Sequence, residues 1–170
     1  SLFFQKNISG EYWLRHGLPN RFNPKPADTS YLFNPNDLKP WVTVRDTIQN
    51  LPDPRVGFSE IKNHIFQAGA KSYPGHTGSV LDEPSKTLKA GDHGVPGGEN
   101  MVILDDGTLR YFTVRESARI QTFPDSFEFP VSWTESMRQI GNAVPVDLAY
   151  IVAESVHKTL MMHKINHNAN

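Results

Sequence analysis

Hydrophobic positions fall at helical spacing in two parts of this chain and bracket an Asp-Gly turn between them. Val44, Ile48 and Leu51 recur at helical spacing behind Thr43, and Pro52 and Pro54 stop the run. This predicts a short helix starting at Thr43. Met101-Val102-Ile103-Leu104 and Leu109-Arg110-Tyr111-Phe112 flank Asp105-Asp106-Gly107-Thr108, the pattern of a β-hairpin. The C-terminal third is helical in pattern. Thr113-Val114-Arg115-Glu116 fits a capping box, in which the Thr hydroxyl accepts an early amide and the Glu reaches back. Its helix is expected to run to about Gln121 and to end before Phe123-Pro124. Ser132-Trp133-Thr134-Glu135 reads as a second capping box, opening a helix that stops near Gly141-Asn142. A third helix is expected from Pro145 to about His163. Its Ala149, Val152, Val156 and Leu160 step by three or four and mark one buried face. Asn166 to Asn170 are expected to fray.

The rest is loop-rich. Pro19, Pro24, Pro26, Pro35 and Pro40 punctuate residues 17–40, and each fixes φ and removes an amide donor. Residues 67–100 are rich in Gly, Ser, Pro, His and Lys. Loops are read at 68–78 and 90–98, with a candidate strand at Pro84-Ser85-Lys86-Thr87-Leu88-Lys89 between them. The chain opens on Ser1, with the apolar Leu2-Phe3-Phe4 ahead of a polar loop, and reads as entered partway through a larger architecture. The elements together predict a mixed α+β fold. No internal repeat is visible.

Composition narrows the chemistry. The 170 residues allow one ordinary domain, or one and a half small ones. Lys plus Arg number 17 against 18 Asp plus Glu, a net charge of −1, which excludes a strongly basic nucleic-acid glue and an acidic disordered tail. There is no cysteine, which removes disulfides, thiolate zinc sites, iron–sulfur clusters and any thiol nucleophile from this chain. Only His163 and His167 among the C-terminal histidines stand at i,i+4 spacing, with no carboxylate beside them, so no metal site is assigned. No serine sits in a nucleophile elbow. The run Gly91-Asp92-His93-Gly94-Val95-Pro96-Gly97-Gly98 lacks the ending of a phosphate loop. It reads either as a flexible surface loop or as one whose backbone must approach a nucleic-acid groove. Lys71, Tyr73, His76, Thr87, Lys89 and His93 surround it, mixing phosphate-binding cations with side chains that reach base edges.

Two segments carry more information. One is T-V-R-E-S-A-R-I-Q-T-F-P-D-S-F at 113–127, and the other is R-Q-I-G-N-A-V-P-V at 138–146. In order and separation they resemble the last two sequence motifs of DNA (cytosine-5) methyltransferases. Thr87-Leu88 resembles the Thr-Leu pair of that family's target-recognition region. Val44-Arg45-Asp46-Thr47-Ile48-Gln49-Asn50-Leu51-Pro52 resembles the segment leading into it. The resemblance covers roughly residues 41–160.

The resemblance implies methyl transfer from S-adenosylmethionine to carbon 5 of a cytosine flipped out of duplex DNA. A cysteine thiolate adds at carbon 6, a glutamic acid assists at ring N3, and a base removes the carbon-5 proton. The family's cysteine lies in a Pro-Cys motif, its glutamate in a Glu-Asn-Val motif, and a Phe-x-Gly-x-Gly turn binds the cofactor; none is present here. Glu99-Asn100-Met101 is a near miss, but it follows Thr87-Leu88, whereas the family's glutamate precedes that pair. Glu99 is therefore read as a loop residue, and no catalytic residue is assigned. The resemblance implies a C-terminal part: residues 1–58 connect from the catalytic domain, 59–112 form the target-recognition region, 113–131 hold the linking helix and F-P-D motif, and 132–170 complete the cofactor-binding domain. Their helices would dock on an α/β cofactor-binding domain outside this chain. Lys71, Tyr73, His76, Thr87, Lys89 and His93 would contact DNA. Phe127, Asn142, Ala143 and Val144 would line the cofactor cleft. Arg115 and Glu116 would open the helix that positions the recognition region. Expected partners are duplex DNA and an N-terminal part or subunit carrying the Pro-Cys and Glu-Asn-Val motifs. The setting implied is cytoplasmic, in a bacterium or phage, within a restriction–modification system. A stand-alone DNA-binding or regulatory module descended from such an enzyme is the alternative, and a scaffold using the last helix is a third reading.

Overall fold

Side-chain caps set where several helices of this chain begin, and side chain-to-backbone hydrogen bonds hold much of the loop structure between them. The computed structural model describes residues 2–7, 9–19, 21, 41–57, 60–90 and 100–168, with side chains described as far as residue 164. It divides into two units, residues 1–42 and 43–170.

In the first unit, α1 (Leu2–Asn7) and α2 (Glu11–Arg15) meet at Gly10, whose φ of 72° suits a residue without Cβ. Helices of six and five residues are too short to persist by hydrogen bonding alone. Packing holds them: Leu2, Tyr12 and Trp13 bury one another. The Tyr12 and Trp13 rings meet edge-to-face at 4.9 Å, and the Trp13 indole N–H donates to the Lys6 carbonyl at 2.8 Å. The Lys6 ammonium lies 5.7 and 5.6 Å from the two ring centres.

In the second unit, α3 (Val44–Ile48) starts at a complete capping box formed by Thr43 and Asp46. The Val44 and Arg45 amides, which have no partner inside the helix, donate to the carbonyls of Glu83 and Leu81. A 3-10 turn, Pro54–Val56, follows. Strands β1 (Ser79–Val80), β2 (Met101–Ile103) and β3 (Leu109–Tyr111) form one sheet in that order. β1 runs parallel to β2 with Ser79 opposite Val102, and β2 antiparallel to β3 with Val102 opposite Arg110. The expected hairpin turn is present, with Gly107 at φ 79°. Helices α4 (Val114–Ile120), α5 (Trp133–Asn142) and α6 (Val146–Asn168) complete the unit. Its core gathers Val44, Val102, Val114, Ala118 and Ile140 from α3, β2, α4 and α5, and Leu81, Leu88, Phe112 and Phe129 from the segments between elements.

Charged side chains tie these elements together. Glu116, 1% exposed, accepts both Arg110 terminal nitrogens at 2.7 Å and the Thr113 amide at 2.8 Å, so one carboxylate closes the cap of α4 and anchors it to β3. Arg45 reaches Asp82 at 2.6 Å and Asp105 at 2.7 Å, linking α3 to the β1 turn and the hairpin. These hydrogen bonds, to Asp105 foremost, raise its pKa above the ordinary guanidinium value.

Several expectations need correction. Residues 84–89 form no strand; Lys86 and Lys89 bond through backbone atoms to the side chains of Ser79 and Asn100 rather than to a neighbouring strand. The strand that does form, β1, lies just past the loop read at 68–78, and its two residues are too few for a periodic pattern. Leu2-Phe3-Phe4 belongs to a helix. At Ser132 only half of the box forms: its hydroxyl accepts the Glu135 amide, while the Glu135 carboxylate takes Arg138 and Gln139 instead. The last helix, expected to end near His163, continues to Asn168. The stripe on that helix, expected to be partly exposed in this chain alone, is exposed: Val152, Val156 and Leu160 are each more than half exposed. The loop 91–98, the near miss at Glu99 and most of the Pro-rich stretch 17–40 lie outside the described residues.

Glu116→Ala should lower unfolding free energy by about 3–5 kcal/mol, because it leaves the Arg110 guanidinium, 5% exposed, without its counter-charge. The pair Arg110→Met with Glu116→Leu should recover most of that loss. Urea melts of the two variants check both statements; equal losses in the single and double variants would mean that packing, not charge, holds the junction.

Candidate functional site

The segment running from α4 through the F-P-D turn is organised by two arginines pointing into it. Arg115 is fully buried. Its guanidinium donates to the carbonyls of Lys62 at 3.1 Å, Pro124 at 3.3 Å and Phe127 at 2.8 Å. One side chain thus spans the 62–63 loop and the 124–127 turn. Burial pulls its pKa down from the ordinary guanidinium value, while Asp125, 3.9 Å away, acts in the opposite direction. One turn on, Arg119 forks onto Asp125 at 2.8 and 2.6 Å and donates to the carbonyls of Thr47 and Gln49. Those hydrogen bonds hold the Asp125 carboxyl below the usual carboxylate range.

Asn63 and His64 brace the same segment from outside. Asn63, with φ 65°, mimics a strand partner: its amide group donates to the Phe129 carbonyl and accepts the Phe129 N–H, both at 2.9 Å. The His64 ring, 2% exposed, sits between the Thr113 hydroxyl at 2.9 Å and the Pro52 carbonyl at 2.7 Å. A carbonyl can only accept, so Nε2 carries the proton and, in the neutral ring, Nδ1 accepts from Thr113. The Thr113 hydroxyl is then oriented to accept the Glu116 amide.

On this frame the structure displays the residues expected at the cofactor cleft. Phe127 packs between Phe123 and Phe129, with ring centres 5.1 and 5.0 Å away, yet stays 47% exposed. Asn142 and Val144 are exposed and Ala143 half-buried, at the corner between α5 and α6. That corner is sewn to the end of α4: Gln121 donates to the Ile140 and Ala143 carbonyls and accepts the Val146 amide, and the Thr122 hydroxyl accepts the Asp147 amide. Phe127 and the 142–144 corner therefore hang from the same α4-to-turn segment, each by its own set of bonds.

The residues expected to meet DNA lie on the loops at 71–76 and 87–89. Lys71, Tyr73, Thr87 and Lys89 are exposed and His76 half-buried; His93 lies outside the described residues. Tyr73-Pro74-Gly75-His76 is a tight turn with Gly75 at φ 82°. The Tyr73 and His76 backbones exchange hydrogen bonds of 3.4 and 2.8 Å, and their rings stack at 4.4 Å. Proline followed by a positive-φ glycine is the composition of a type II turn. The tip is thus built with its aromatic pair already assembled. Around Leu88, which enters the core, Thr87 and Lys89 face out. Lys89 is held at both its amide and its carbonyl by the fully buried Asn100 side chain, at 3.2 and 3.0 Å.

Arg115 and Glu116 are both buried at the start of α4 with different partners, and the described cofactor and DNA candidates are exposed or half-buried, the Lys89 backbone lying against Gly141 beside the 142–144 corner. The sequence did not single out Asn63, His64, Asn100 or Gln121 as site residues. Gln121 lies inside the 113–127 motif, but its partners, like those of Asn63, His64 and Asn100, are groups elsewhere in the chain that no local pattern connects to it. A cavity of about 590 Å³ lined by Pro54, Gly57 and residues 60–66 contains none of the expected site residues.

A family model described as C-5 cytosine-specific DNA methylase matches residues 28–158. The chain is 35% identical over 155 residues to the type II methyltransferase M.NgoFVII of Neisseria gonorrhoeae, covering 77% of this chain and 40% of that protein. It is 32% identical over 152 residues to M.MthTI of Methanothermobacter thermautotrophicus, covering 74% and 46%. It is 46% identical over 81 residues to M.AplI of Arthrospira platensis, covering 47% and 24%. The chain spans less than half the length of these relatives. The family match takes in the braced α4 segment, the 142–144 corner and the Tyr73–His76 turn together, and on that breadth the chain belongs to the C-5 cytosine-specific DNA methylase family.

Proposed function

We propose that this chain is the DNA-recognition and cofactor-cleft part of a cytosine-5 DNA methyltransferase of the restriction–modification type. It acts in the cytoplasm on duplex DNA with S-adenosylmethionine as methyl donor. The observation that carries this reading is the family match across residues 28–158 in a chain without cysteine. Carbon 5 of cytosine is a poor nucleophile until a thiolate adds to carbon 6, and no thiol exists here to do so. The nucleophile and the glutamic acid at N3 come from an N-terminal part with the Pro-Cys and Glu-Asn-Val motifs. Residues 59–112 read the target, 113–131 position them, and 132–170 complete the cofactor-binding domain, with residues 1–58 leading in.

The local chemistry suits these roles. Phe127 offers an exposed aromatic face and Asn142 an exposed carboxamide, which fit the adenosine portion of S-adenosylmethionine. Ala143 and Val144 add apolar surface beside them. Tyr73 and His76 present a pre-assembled aromatic turn to DNA, Lys71 a phosphate-binding cation, and Thr87, Lys89 and His93 polar groups near base edges. Apolar residues occupy more than one side of α6, with Leu148, Ile151, Val152, Val156 and Leu160 all at least half exposed. A helix apolar around its circumference belongs in a larger core, and the missing cofactor-binding sheet is the partner that fits.

The chain alone should transfer no methyl group from labelled S-adenosylmethionine to duplex DNA, and adding the N-terminal part should restore transfer. Methylation by the chain alone would overturn the proposal. In the assembled enzyme, Lys71→Ala should weaken duplex binding and reduce the slope of log affinity against log salt by about one. An unchanged slope would remove Lys71 from the interface. Val152→Asp should weaken association with the N-terminal part at least tenfold and shift the chain's own stability by no more than about 0.5 kcal/mol, since it lies at an exposed position. Undiminished association would detach α6 from the docking role.

A further inference from the structure

The tightest backbone approach found at any described glycine joins the two halves of the site. A Cβ at Gly141 would overlap the Ala90 amide nitrogen and lie 2.6 Å from the Lys89 carbonyl carbon and 3.0 Å from the Ala90 Cα. These are backbone atoms, which cannot swing aside as a side chain can. Gly141 therefore lets α5 rest directly on the Lys89–Ala90 backbone, immediately before the Asn142–Val144 corner.

Neither side of this contact is free to yield. Lys89 is clamped at its amide and carbonyl by Asn100, and the Asn100 carbonyl accepts the Phe112 amide at 2.9 Å. Behind the corner, Gln121 holds the Ile140 and Ala143 carbonyls and the Val146 amide. Asn100, Lys89–Ala90, Gly141 and Gln121 thus form a continuous train from the DNA-facing segment to the cofactor-facing corner. Closely packed groups transmit displacement because they have no slack to absorb it.

From this we infer that Gly141 and Asn100 are positioning residues that couple duplex binding to cofactor binding. The inference rests on the proposed roles of residues 87–90 and 142–144. If cofactor fixes the corner, it fixes the register of Thr87 and Lys89 against DNA. Coupling of this kind is reciprocal, so duplex must alter cofactor affinity by the same factor.

The test measures duplex Kd in the full enzyme, this chain with its N-terminal part, with and without S-adenosylhomocysteine. In the wild type the two values should differ at least about fivefold, the lower end of ordinary coupling. In Gly141→Ala the ratio should fall to within about twofold of one. Partial unfolding lowers active protein equally in both arms, so a merely structural role would leave the ratio unchanged. Asn100→Ala, which releases Lys89 from the other side, should collapse the ratio in the same way, and it decides the matter if Gly141→Ala fails to fold. A wild-type ratio near one, or a ratio retained in a folded variant, overturns the inference. A wild-type enzyme that binds neither duplex nor cofactor would instead overturn the proposed function.

Discussion

The Glu116 carboxylate is the anchor on which the second unit depends. Removing such a group from water is costly unless each oxygen is satisfied. Here the Arg110 fork and the Thr113 amide do so together. The same carboxylate therefore decides where α4 begins and how that helix sits against β3. Arg115 follows it immediately, so the direction in which Arg115 leaves the helix is set as well. From there the guanidinium gathers the 62–63 loop and the F-P-D turn, and the exposed face of Phe127 results.

A second constraint is the small amount of regular structure. The three strands contain two or three residues each, so their ladders supply few hydrogen bonds. Side chains replace the missing ladder. Asn63 pairs with Phe129, Asn100 with Lys89, His64 with Pro52, and Gln121 with the end of α5. Each satisfies buried backbone groups that would otherwise be left without partners. The loops are irregular in trace yet specified in detail.

That substitution explains which parts of the molecule were legible in the residues. The hairpin, α3 and α4 were readable, because each is written by local chemistry: Asp-Gly between apolar runs, Thr43 with Asp46, Thr113 with Glu116. The candidate site residues were readable only through motif resemblance, and their geometry was not. Asn63 and Phe129 are 66 positions apart, and no local pattern connects them. Residues 84–89 were misread for the same reason, since Leu88 points inward as in a strand while its neighbours bond to side chains. Val152, Val156 and Leu160 were correctly placed on one helix, but periodicity alone does not say whether a stripe is covered by its own chain or by another.

The Asn100 clamp also bears on evolvability. Its side chain grips Lys89, so the two ends of the intervening stretch are fixed by bonds that do not involve that stretch. Loop-closure entropy rises by only about 0.6 kcal/mol for each doubling of length. The entropy of closing the stretch between Lys89 and Asn100 therefore depends only weakly on its length, and one clamp can hold the same two anchor points for connections of different size.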